Sequence, residues 1–229
     1  MELKKILGNS MWRIGEKILT MIVTVIVTSI VARYLGPENY GMVNYVISLV
    51  SLFTAFSTFG MQEILIKDIV KKEDDVNVIL GTGFYIRLIG GIILIALSQI
   101  TLYILNGNNL LYQILGIIMG TCILFKSFEV IEYYLQSQMQ LRVSSSIRFI
   151  TTIIVALSRI LIVIWNCGVI GFTFTYLVDA MTAGILFYIY YRSKITKEKW
   201  NFSKEYAKKI FKRCWYVAVA GLLGTIYMR

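Results

Sequence analysis

Long apolar runs decide what this chain can become. Stretches such as ILTMIVTVIVTSIVA (Ile18–Ala32) and VISLVSLFTAFSTFG (Val46–Gly60) carry no charged residue. Runs of about 20 apolar residues are what the hydrocarbon core of a bilayer requires. They predict spans over about 12–34, 41–66, 78–105, 110–135, 147–165 and 169–191, with a seventh beginning near Trp215. The runs are continuous rather than alternating, so a closed barrel is not expected. Helices are the other structure that satisfies every backbone group inside lipid. The expected fold is an all-α integral membrane protein, a six-helix transmembrane bundle plus the start of a seventh helix.

Composition agrees. The 229 residues are 57% hydrophobic and 16% charged, with mean hydropathy +0.70, against about 25% charged in a soluble domain. The net charge of +10 could suggest nucleic acid, but its distribution points to topology. Sixteen Lys and Arg fall on one side of the spans: Lys4, Lys5, Lys67, Lys71, Lys72, Arg142, Arg148 and nine within 192–213. The other side, with the turns GPEN, NGNN and NCG, has Arg33 alone, just before the first of them. By the positive-inside rule the N-terminus is expected in the cytoplasm, and no nucleic-acid partner is expected. The flank MELKK lacks a small-residue cleavage site, so the first span reads as retained.

Enzyme chemistry finds little support. There is no histidine, and Cys122, Cys167 and Cys214 form no C-x-x-C. The phosphate-loop, zinc-protease and nucleophile-elbow patterns are absent, and the short outer turns leave no room for a catalytic domain. No cofactor and no metal are expected. The GTG at Gly81–Gly83 reads as a site of close helix packing. The sequon at Asn201 falls on the side placed in the cytoplasm and is discounted.

The segment after the sixth span, NFSKEYAKKIFKRCW, spaces Phe202, Tyr206, Ile210 and Cys214 on one helical stripe and Lys204, Lys208 and Lys212 on another. That pattern predicts an amphipathic helix on the inner leaflet, with anionic lipids as partners of the 192–214 segment. The chain thus divides into a membrane lobe (1–191), a basic connector (192–214) and the start of a seventh helix (215–229).

Ionisable residues inside spans are costly and face a bundle interior or a water-filled cavity. The basic ones are Arg87, Arg159, Lys126, Arg13 and Lys17; the acidic ones are Glu16, Glu129, Glu132 and Asp179. Arg87 lies roughly 14 Å along the third span at 1.5 Å per residue. Arg13 and Lys17 stand near the inner end of the first span, within snorkelling reach. Two readings stay open. The charges could close on each other, Lys126 with Glu129 at i, i+3 and Asp179 with Arg159 or Arg87. Alternatively, they line a cationic cavity for an anionic head group, with Asp179 as a charge partner or a cation-coupling acid.

From Gly8 to Ile69 the chain resembles the Wzx-type polysaccharide and O-antigen flippases, which share a superfamily with the MATE exporters. The resemblance rests on Asn9 and Trp12, on ARYLGPENYG (Ala32–Gly41) and on FGMQEILIKDI (Phe59–Ile69), with FEVIEYYLQSQMQLR (Phe128–Arg142) in support. It implies a carrier with two six-helix lobes. Such a carrier moves undecaprenyl-diphosphate-linked oligosaccharide across the cytoplasmic membrane by alternating access, for O-antigen, capsule or exopolysaccharide synthesis. This chain corresponds to the N-terminal lobe and a stub of the second, as a fragment or a half-length form would. Implied partners are the lipid-linked oligosaccharide diphosphate and other polysaccharide-assembly membrane proteins. The alternatives are a MATE-type cation-coupled drug exporter, and a non-transporting remnant or assembly partner of an export complex.

Overall fold

The computed structural model describes residues 2–58, 60–196 and 198–214, with side chains from Ile14 onward except those of 55–58. The seventh span expected from Trp215 lies outside them, and so does the side chain of Arg13. Among the described residues there is no β-strand.

The first element, α1 (Glu2–Thr58), is 57 residues long. A straight helix of that length would reach about 85 Å at 1.5 Å per residue, nearly three times a bilayer core. It is broken at Gly36, whose φ of 74° and ψ of 167° suit glycine best, and Pro37 follows without an N–H to donate. Two arms result, 2–35 and 37–58. The chain reverses between them. Tyr45 meets Asn106 and Tyr112 beside the next outer turn, whereas Asp68 reaches the connector at the opposite end. The second span was expected as one helix to residue 66. It is interrupted at Gly60, left-handed with φ 59°, and resumes as α2 (Met61–Lys71).

The remaining spans alternate between the two ends. Asp75 caps α3 (Val76–Asn106) by accepting from the Asn77 N–H, and Asn109 caps α4 (Leu110–Phe125) in the same way. The fourth span does not run through as one α-helix. A 3-10 turn, Lys126–Glu129, separates α4 from α5 (Val130–Ser137). Next come α6 (Leu141–Ile164) and α7 (Gly168–Lys194). Five helical segments are long and apolar enough to cross a membrane. Since α1 supplies two arms, they provide the six passes expected from the sequence. α6 begins six residues before the expected start at 147, which places Arg148 about two turns inside the helix rather than at its first turn.

Two apolar clusters hold the bundle. One, near the end where basic residues gather, joins Leu65, Ile79, Leu80, Ile131, Leu135, Phe187 and Tyr191. The other joins both arms of α1 (Val31, Val43, Val46) to Leu102, Leu115 and Phe172. Large apolar residues such as Ile22, Ile26, Ile93, Ile100 and Leu157 point outward and stay exposed. In water this surface would aggregate; in a bilayer it is the lipid contact.

The connector closes the basic end. A Cβ on Gly81 would collide with the carbonyl oxygen of Asn201 and come within 2.8 Å of its nitrogen, and one on Gly83 would lie 2.9 Å from Leu65 Cδ1. The glycines of GTG thus permit close packing, as expected, but Gly81 admits the connector backbone rather than a helix. The Asn201 N–H donates to Asn77 O at 3.3 Å and the Ser203 N–H to Thr82 Oγ1 at 3.0 Å. A helix over 204–214, α8, follows. Its apolar stripe was expected to rest on the inner leaflet. Instead Tyr206 and Ile210 are buried in the first apolar cluster. The reason is on the facing surface, where apolar side chains of α2 and the carboxylates of Asp68, Glu73 and Asp74 offer better partners than lipid. Tyr206 donates to Asp68 at 2.8 Å, Arg213 to Asp68 at 2.8 Å and to Glu73 at 3.1 Å, and Lys209 to Glu73 at 2.8 Å. Lys204, Lys208 and Lys212 stay exposed on the far side.

Candidate functional site

A cavity of about 320 Å³ opens between the second arm of α1, α4 and α7. Ile47, Val50, Ser51 and Thr54 form one wall; Met119, Cys122, Ile123 and Lys126 form another; Tyr176 and Asp179 complete it. Asp179 lies eleven residues into α7, roughly 16 Å at helical rise, which is near the middle of the span. Lys126 reaches a similar depth, because the 3-10 turn begins at it eleven residues before the end of α5. A 3-10 turn inside a helix frequently marks a functional hinge. Here it divides two charges three residues apart: Lys126 lines the cavity and Glu129 turns elsewhere. Among the described residues, neither Lys126 nor Asp179 forms an ion pair.

Glu129 does not pair with Lys126, because two guanidinium groups converge on it. Arg87 donates to Glu129 Oε2 at 2.8 Å and to the Tyr133 hydroxyl at 2.7 Å, and Arg148 donates to Glu129 Oε1 at 3.2 Å. Arg148 also grips Glu132, whose other oxygen accepts from Ser144 at 2.8 Å. Two arginines and two glutamates make a closed, neutral set joining α3, the 3-10 turn, α5 and α6. Arg87 is 3% exposed and is not among the cavity-lining residues. The expectation that it lines an anion site is corrected accordingly: its charge is already met.

Arg159 is placed differently. It is buried in α6, with its guanidinium carbon 5.4 Å from the Phe172 ring centre and 5.1 Å from that of Tyr176. Its Nε donates to Thr175 Oγ1 at 3.3 Å. No pair with Asp179 forms. Lys17 is exposed midway along the first arm of α1 and is not in the cavity wall, and Glu16 accepts from Thr20 at 2.9 Å.

Of the expected site residues, the structure brings Lys126 and Asp179 together on one cavity and sets Arg159 behind its Tyr176 wall. Sequence reasoning missed Ser51, Thr54, Cys122 and Tyr176 as wall residues. Nothing in an apolar run marks which small polar groups face inward. It also missed Asp68, which is fully buried. That residue had a legible signal, since Met61, Leu65, Asp68 and Ile69 share the buried stripe of α2.

A family model described as "Polysaccharide biosynthesis protein" matches residues 6–229. No curated protein and no solved structure gives a match.

Proposed function

Because the chain belongs to the polysaccharide biosynthesis protein family, that of the Wzx-type flippases, we propose that it carries undecaprenyl-diphosphate-linked oligosaccharide across the cytoplasmic membrane, with its N-terminus in the cytoplasm. The observation that supports this cargo is the cavity at mid-span with Lys126 in its wall and no ion pair on that lysine. An ammonium in a low-dielectric cavity attracts a diphosphate strongly. Asp179 in the same wall limits that attraction, so the head group can leave again. Carriers of this kind bind near the bilayer midplane and rock one bundle against another. The face formed by the second arm of α1, α4 and α7 would be half of such a site.

The test is complementation of a flippase-deficient strain. Lys126→Gln should lower surface polysaccharide at least tenfold with the protein level unchanged; unaltered polysaccharide would remove Lys126 from the mechanism. Asp179 favours a second reading, a cation-coupled exporter, since an unpaired acid in a cavity is what such coupling needs. Asp179→Asn should then abolish resistance to cationic drugs while leaving polysaccharide intact.

A further inference from the structure

We propose that the connector helix α8 is a lock on a gate made of α2 and α5. Docked, it keeps the mid-span cavity closed towards the connector end; undocked, it lets that pair of helices swing and admits water from that side. The lock rests on the contacts of these helices and on no particular cargo.

The gate continues the cavity walls. Thr54 in the second arm of α1 and Lys126 at the end of α4 both line the cavity. Past Gly60 the first wall goes on as α2, and past the 3-10 turn the second goes on as α5. Each segment has a joint at both ends. Left-handed Gly60 (φ 59°) and Lys72 (φ 53°) flank α2; the 3-10 turn and left-handed Met139 (φ 57°) flank α5. By contrast, α3, α6 and α7 each run as one α-helix. Hinges are a few element-terminal residues that absorb the change in φ and ψ, and the two wall spans carry them between the cavity and the connector. At 11 and 8 residues, α2 and α5 are too short to be stable alone, so their packing decides where they stand. They pack on each other. Leu65, Ile69, Ile131 and Leu135 share one cluster, and Gln62 Nε2 donates to Gln136 Oε1 at 3.1 Å.

The lock is made by α8. Tyr206 and Ile210 enter the same cluster. Asp68 of α2 is fully buried and accepts from the Tyr206 hydroxyl and from Arg213, both at 2.8 Å. A buried carboxylate is tolerated only with such partners. Without α8 it loses both, and α2 is left with its contacts to α3 and α5, held between two joints. The rim is easier to release. Lys209 is 38% exposed and Arg213 39% exposed, so their pairs with Glu73 exchange for water at small cost.

The experiment uses the full chain in phosphatidylcholine nanodiscs and a charged, membrane-impermeant maleimide. Labelling of each native cysteine is read by peptide mass spectrometry. Cys122 is buried in the cavity wall, Cys167 is exposed in the outer turn, and Cys214 is half-buried on α8. Tyr206→Phe keeps the ring and removes the donor. It should speed labelling of Cys122 and Cys214 together by about 10- to 100-fold, the range for losing a hydrogen bond to a charged group, and leave Cys167 unchanged. Arg213→Gln should speed both by about 2- to 5-fold, as for a pair partly open to solvent. Lys208→Gln, on the exposed face of α8, should change neither. Equal Cys122 rates in wild type and Tyr206→Phe overturn the lock. Faster labelling of Cys214 alone also overturns it, because α8 then leaves without moving the gate. Labelling of Cys122 that climbs steeply with urea reports unfolding rather than a swing, and the proposal falls. Should Tyr206→Phe fail to fold, Arg213→Gln is judged by the same three outcomes. Labelling needs no cargo, so it decides the lock whether or not complementation upholds the flippase reading.

Discussion

Arg87 and Arg159 are each a lone arginine in an apolar span, yet they meet opposite surroundings. Arg87 is locked by Glu129 and Tyr133 in a set that sums to zero charge. Arg159, also buried, has two aromatic rings and one hydroxyl. Depth along the helix therefore does not decide what an intramembrane charge is for; the neighbouring spans do. Where a neighbour brings a carboxylate, the charge becomes architecture. Where it brings rings and a hydroxyl, the charge keeps no counter-ion among the described residues. The same division separates Glu129 from Lys126 across a single 3-10 turn.

The largest expected effect breaks the closed set. Glu129→Gln leaves Arg87 buried without its counter-ion and costs about 3–5 kcal/mol, as for other broken buried pairs, read as a lower urea midpoint of the purified protein in micelles. Lys126→Gln is the matched control from the open side, with a stability change of about 1 kcal/mol or less because no pair is lost. Equal losses in the two variants would erase the distinction between the regions. An intermediate effect belongs to Gly81→Ala, where the added methyl must displace the Asn201 backbone. It should cost about 1–3 kcal/mol and increase protease cutting in the connector. A connector as resistant as in wild type would show that residues 196–203 do not depend on that contact.

Much of this was legible in the sequence, and the limits have physical causes. The spans, their reversal at Gly36–Pro37 and the basic end follow from apolar length, backbone chemistry and the placement of Lys and Arg. The break at Lys126–Glu129 was not legible, because KSFE carries no proline or glycine to mark it. The pairing was not legible either, since Glu129 is contested by Lys126 three residues away and by Arg87 and Arg148 from other helices. Sequence spacing reports only the local competitor. The connector helix shows the same limit: the apolar stripe predicts a face on the inner leaflet, whereas protein covers Tyr206 and Ile210, and a stripe does not say which of the two will cover it. Asp68, buried beneath that stripe, was the available clue.

The smallest expected effect tests how the connector is held. The Glu73 carboxyl is drawn from an ordinary 4.5 down to about 2, first by the hydrogen bond from Lys209 and then by that from Arg213. Its folded value lies below its unfolded one, so its contribution is complete above about pH 5 and fades as acid carries the solution through the folded value. Both partners are partly open to solvent, which keeps the contribution small and salt-sensitive. Glu73→Gln removes it at every pH. The gap in urea midpoint between wild type and Glu73→Gln should be widest near pH 6, narrow between pH 4.5 and 2, and shrink in high salt. A gap that stays constant over that range would mean that α8 is held by Tyr206, Ile210 and the buried Asp68 alone. In that case the outer ion pairs would follow the docking of the connector rather than secure it.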